Sequence, residues 1–242
     1  MYNNDFIEFV EKGINEFYIG TGNPNSKILI IGKESAIETH DLYSFEWYRN
    51  NAKDWKNHIE NKTCEVLEYQ VDEKHPLRKS WGKNTWSKYQ KLSDYILEKK
   101  TENFKVDFLN HIFTSEINDS PSKTTSKADK ANISSRKEIL KVSEFIQNFP
   151  VIVLACSNYI TNNENNREIN NIFEVEYVGD EIGTKYYSAG NWYFLHYNKD
   201  KTKLVIHTRQ LSTNVNNELL KDLAEIIRKH LNQYKTQPLT AV

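Results

Sequence analysis

The stretch KILIIGKESAIETHD, residues 27–41, decides the fold class. Its first six residues are almost continuously apolar, without the alternation of a half-exposed strand, so both faces of this strand are expected to be covered. Strands of that kind belong to mainly parallel sheets with helices on either side. Gly32 is the expected tight exit, and Glu34 is the first carboxylate beyond it. VDFLN (Val106 to Asn110), VIVLAC (Val151 to Cys156) and KLVIH (Lys203 to His207) read as further buried strands.

Helical spacing fills the intervals. Phe6, Phe9, Val10, Ile14 and Phe17 predict a helix from Asn4 to Tyr18. Gly20 and Gly22 come before the first strand instead of after it, so they are read as turn residues and not as a phosphate loop. Residues 41–83 are aromatic and charged with weak periodicity and are expected to be an excursion from the sheet. A helix is expected from about Thr85 to Lys99, with Trp86, Tyr89, Leu92 and Ile96 on its apolar face. The polar run Thr114 to Asn132 reads as a long exit loop. Ser135 and Glu138 have capping-box spacing and predict a helix running to Phe149, where Pro150 ends it. IFEVEYV and KYYSAGNWYFLHY read as β structure with a turn at SAGN. An amphipathic helix from Asn214 to about Tyr234 closes the chain. The expected fold is α/β: a three-layer α/β/α domain over residues 1–242 with a central, mainly parallel sheet. Ligands in such sheets bind beyond the carboxyl ends of the strands. Those ends carry Glu34, Asn110, Cys156-Ser157-Asn158 and His207.

Composition narrows the class. With 242 residues and a net charge of −1, any basic footprint for nucleic acid has to be local. Two distant cysteines supply neither a disulfide framework nor enough thiolates for a zinc ribbon or an iron-sulfur cluster, so a reducing compartment and no metal are expected. The N-terminal MYNNDFIEFVEKG lacks a signal-peptide pattern, and no apolar run approaches the roughly 18 residues of a membrane span. The reading is a cytoplasmic monomer without cofactor or membrane contact.

The order of GKES (Gly32 to Ser35), FLNHIFT (Phe108 to Thr114) and HTRQLS (His207 to Ser212) resembles the uracil-DNA glycosylase superfamily. That family carries an acidic Gly motif at one strand end, an Asn on a second strand and a His-Pro-Ser-Pro-Leu-Ser loop before the last helix. The resemblance implies that Gly32 lets a base approach the backbone and that Asn110 reads its edge. It implies that His207 hydrogen-bonds the base oxygen where charge develops, and that Glu34 holds water or stabilises the sugar cation. A preorganised donor of the His207 kind is worth about 2.7–4 kcal/mol. Leu211 would be the wedge entering the vacated stack, Ser212 and Arg209 would contact phosphate, and Lys123 would belong to a basic run extending to Lys141. Base flipping calls for a stacking platform, expected among Trp81, Trp86 and Tyr89, with Trp81 the base-binding candidate. The implied substrate is single- or double-stranded DNA carrying uracil or a related damaged base, and the implied reaction is hydrolysis of its N-glycosidic bond. Three departures stand out: Glu34 replaces the usual Asp, Ser35-Ala36 replaces Pro-Tyr, and HTRQLS has neither proline.

Two further function classes fit the same residues: a non-catalytic nucleic-acid or nucleotide-binding protein of this fold, and a hydrolase of free nucleosides. Other conspicuous residues have plainer readings. His40-Asp41 are loop residues, Cys156 is a small buried hydrophobe, Trp86 is core, and His58, His75 and His196 lack metal-ligand spacing.

Overall fold

In the computed structural model the described residues are 2–37 and 40–236, so Glu38 and Thr39 of the opening stretch lie outside them. The chain runs through α1 (Asn4–Gly13), β1 (Thr21–Gly22), β2 (Ile28–Gly32), α2 (Leu42–Glu60), β3 (Tyr69–Gln70), α3 (Thr85–Ile96), β4 (Lys105–Val106) and β5 (Phe113–Glu116). It continues through α4 (Ile133–Val142), α5 (Glu144–Gln147), β6 (Val151–Leu154), α6 (Glu168–Phe173), β7 (Glu176–Tyr177), α7 (Asp180–Gly183), β8 (Thr184–Ser188), β9 (Asn191–Tyr197), β10 (Leu204–Thr208) and α8 (Asn217–Thr236).

The main sheet has the order β1-β5-β2-β6-β10-β9-β7, with β8 paired to β9. Its centre, β5-β2-β6-β10, is parallel, and the pairs β1·β5, β10·β9 and β9·β7 at its flanks are antiparallel. KILIIG forms β2 as expected, and all five of its strand residues are buried. Alternate side chains feed opposite layers. Leu29 and Ile31 join Phe6, Phe9, Trp55, Phe145 and Phe173 on one side. Ile28 and Ile30 join Leu92, Leu219, Leu223 and Ile227 on the other. Helices therefore cover both faces, which is the physical reason these strands have no polar alternation.

Several local expectations change. The first helix ends at Gly13, because Asn15 turns left-handed at φ 63° and redirects the chain. Part of the expected excursion is a 19-residue helix, α2, capped by the Asp41 carboxylate, which accepts from the Ser44 N–H at 3.0 Å. Asp41 is thus an N-cap. The helix expected from Ser135 starts at Ile133 and breaks at Ser143, which leaves the helical region at ψ 111° and caps α5 instead.

The second strand moves most. Phe108–Asn110 is a 3₁₀ turn, and the sheet strand is Phe113–Glu116, inside the run expected to be loop. Thr114 and Ser115 are buried in it because their hydroxyls donate to the carbonyls of Thr21 at 3.3 Å and Ile19 at 2.8 Å. Satisfied hydroxyls make Thr and Ser acceptable in a covered strand despite their polar letters.

Candidate functional site

The parallel strands β2, β5, β6 and β10 run in register, so Gly32, Glu116, Leu154 and His207 mark one rim. The loop after β5 zips onto the loop after β2: Ile117 N–H donates to Gly32 O at 3.0 Å, Asn118 N–H to Lys33 O at 2.8 Å, and Ser122 N–H to Ser35 O at 3.0 Å. Glu34 is held under this loop and is only 7% exposed. Its Oε1 accepts from the Thr125 hydroxyl at 2.7 Å and its Oε2 from the Tyr159 hydroxyl at 2.5 Å. Burial and the Glu34 carboxylate both push the Tyr159 phenol up, so it stays protonated and donates. The Lys33 ammonium lies 4.9 Å from the Tyr159 ring and donates to Asn158 Oδ1 at 3.3 Å.

His207 shares this rim, two strands away from Glu34 across β6. Its Nε2 faces the Ser157 carbonyl at 2.9 Å and must donate there, which leaves Nδ1 to accept from Asn162 Nδ2 at 3.2 Å. The Asn162 amide is oriented by its own oxygen, which accepts from Arg167 Nη1 at 2.9 Å and from His196 Nε2 at 3.3 Å. Burial takes His207 down to about 4, so the imidazole is neutral at pH 7. Trp192 and Phe194 wall its ring at 5.0 and 6.1 Å. The 3₁₀ turn Ser157–Tyr159, entered through a left-handed Ser157 at φ 52°, therefore touches both candidate residues at once.

Other expected site residues stand elsewhere. Asn110 precedes β5 and so sits at the amino rim, the opposite end of the sheet from Glu34; its main-chain carbonyl accepts from Asn23 Nδ2 at 2.9 Å. Past β5, the amide that reaches the carboxyl rim is Asn118, fully buried, which donates to Asp129 O at 2.8 Å and accepts from Ser120 N–H at 3.2 Å. Leu211 is fully buried in the α3/α8 core and cannot act as an exposed wedge. Arg209 spends its guanidinium on the carbonyls of Gly190, Gln210, Thr213 and Asn214, so it builds the loop around Ser212. Trp81 packs its ring 6.0 Å from Phe104 and is half-buried in the same core. Lys123 is exposed on the loop that covers Glu34. Arg136 drops out of the expected basic run, being 1% exposed beneath β5.

Gly32 does permit a close approach, but the group that uses it is internal: a Cβ there would collide with the Glu116 carboxylate. Burial and then the negative charge of Glu34 raise Glu116 to about 8, against the opposing pull of Arg136. Arg136 donates through Nε to Glu116 O at 3.0 Å and through Nη2 to Ser115 Oγ at 2.8 Å. Sequence reasoning missed Asn118, Thr125 and Tyr159. The signal for Asn118 was Ile117, an apolar residue closing the FTSE run, and Tyr159 lies three residues past the end of VIVLAC.

Among the described residues no group of three His, Cys, Asp or Glu side chains could hold a metal ion, and no helix is long and apolar enough to cross a membrane. No protein-family model matches the chain, nor does any curated protein or solved structure.

Proposed function

We propose that the protein is a uracil-DNA glycosylase-like hydrolase that takes a damaged base out of DNA and cleaves its N-glycosidic bond. The observation that carries this reading is the joint attachment of Glu34 and His207 to one short turn, Ser157–Tyr159, at the carboxyl rim of the parallel sheet. Displacement of that turn by an incoming nucleotide would free the Glu34 carboxylate and the His207 N–H together. Glu34 would then orient the water whose oxygen bonds to C1′ and accept that water's proton, as the C1′–N bond breaks and the bond's electron pair leaves with the base. A neutral His207 would donate to the base oxygen that gains charge. Asn118, at the position expected of Asn110, would supply the amide that reads the base edge.

Incubation with uracil-containing single- and double-stranded DNA, followed by alkaline cleavage, tests the proposal. Strand scission at uracil that is lost in Glu34→Gln supports it. No abasic product from uracil or other deaminated bases, where a control glycosylase works, overturns it. A second reading is favoured by the engagement of both His207 ring nitrogens: a non-catalytic nucleic-acid binder of the same fold. Binding that falls steeply with salt, releases no base and is unchanged in Glu34→Gln would select it.

A further inference from the structure

Successive side chains of β9 go to opposite faces of the sheet. Tyr193, Leu195 and Tyr197 enter the core shared with α3 and α8. Trp192 and Phe194 point the other way and, with Tyr177 of β7 and Tyr186 of β8, join neither core cluster of the described residues. These four rings still pack on one another: Phe194 lies 5.3 Å from Trp192, 5.9 Å from Tyr186 and 6.0 Å from Tyr177, centroid to centroid. Tyr186 is 63% exposed, and Trp192 and Phe194 are half-buried. The row is continuous with the candidate site, because Trp192 and Phe194 also wall His207. A cation stands at each end of it. The Arg167 guanidinium lies 3.7 Å over the Tyr177 ring, and Arg209 Nη1 donates to Gly190 O in the turn that joins β8 to β9. Neither arginine makes an ion pair among the described residues. Apolar rings left in water cost free energy, so four gathered beside a candidate site mark a surface that a partner covers.

We propose that this open sheet face binds single-stranded DNA, with bases stacked on Tyr186, Trp192 and Phe194 and phosphates held at Arg167 and Arg209. Every base has a flat π face for such rings, and an arginine at either end meets the charge of the backbone. The acids of this edge, Glu176, Asp180 and Glu181, belong to β7 and α7, so the strand follows β9 and β10 toward the His207 rim. The assignment rests on the DNA substrate read above and not on cleavage of a glycosidic bond.

Fluorescence anisotropy of a labelled oligothymidylate without damaged bases, set against a duplex of the same length at low salt, tests it. The single strand should bind at least about tenfold more tightly than the duplex, whose bases are already stacked on one another. Affinity for the strand should fall about tenfold in Tyr186→Ala and be kept in Tyr186→Phe, which retains the ring, with the melting temperature of both variants unchanged. Ring-dependent binding without base release from uracil-containing DNA supports this face and sinks the glycosylase reading. Base release with full strand binding in Tyr186→Ala keeps that reading and overturns this proposal. No binding of oligothymidylate, equal binding of strand and duplex, or a dimer in sedimentation that Tyr186→Ala dissociates overturns it as well, the last assigning the face to a second copy of the chain.

Discussion

The Tyr159 hydroxyl donates to Glu34 Oε2 at 2.5 Å, from the same three-residue turn whose first carbonyl, that of Ser157, accepts from His207. A carboxylate just past β2 and an imidazole on β10, strands that are not neighbours, are thereby tied to one short piece of backbone. The tie on Glu34 is buried and engages a carboxylate acceptor, the stronger class, while the tie on His207 is part-buried.

Tyr159→Phe removes that donor and keeps the ring beside the Lys33 ammonium. A hydrogen bond to a charged group is worth about 1.5–3 kcal/mol, so unfolding free energy should fall by about that amount in urea titrations. Under the glycosylase reading, base release should change by about tenfold or more while DNA affinity is kept. Unchanged stability and unchanged base release together would remove Tyr159 from the site.

Much of the frame was legible because the central strands are covered on both faces, and continuous apolar letters report that directly. KILIIG and VIVLAC became β2 and β6 within one or two residues. The misplaced strand had a physical cause: Thr114 and Ser115 meet carbonyls of the preceding segment, so a buried strand looks polar in sequence. Asn110 was placed at the wrong rim as a direct result. Leu211 is buried and Arg209 engaged by its own loop, positions that could not be read ahead because a motif in sequence does not tell whether a loop residue points outward or holds its own loop together. Glu34 and His207 stand at the expected rim because Glu34 lies two residues past β2 and His207 one residue before the end of β10, where topology alone fixes the rim.

The exchange of Asn110 for Asn118 can be tested with two alanine substitutions. Asn118→Ala strips a fully buried amide from the Asp129 carbonyl and the Ser120 N–H, and should cost about 1–3 kcal/mol and loosen the loop over Glu34. Asn110→Ala leaves in place the main-chain carbonyl that Asn23 uses and should shift the melting temperature by little. Parallel thermal melts and DNA-cleavage assays check both. A larger effect on either measure from Asn110 would restore the original assignment.

Acid should weaken the His207 cluster. His207 is held at about 4 and His196 at about 3, both mainly by burial, against an ordinary 6.5. Between these values the unfolded chain takes up protons that the folded chain refuses. Stability is therefore present above about pH 6.5 and is lost as pH falls toward 4, at about 1.4 kcal/mol per pH unit for each histidine. Urea unfolding from pH 7 to 4.5 should show that slope, and NMR should find the His207 ring neutral at pH 5.5. A His207 titration midpoint near 6.5 would contradict the buried arrangement.

Glu116 acts in the opposite sense. Its carboxyl, ordinarily ionised above 4.5, stays protonated in the fold until about 8 because it is buried and faces the charge of Glu34. From pH 4.5 to 8 the folded chain holds a proton that the unfolded chain has released, so this group costs stability progressively as pH rises and the full cost is reached above 8. Glu116→Gln keeps the shape, cannot ionise, and should bring its largest gain in melting temperature near pH 8 to 9 and almost none near pH 4.5. Melting curves of both proteins across pH 4.5 to 9 measure the difference. If the variant is equally or less stable than the parent at pH 8, Glu116 is ionised in the fold and Arg136 is its true counter-charge.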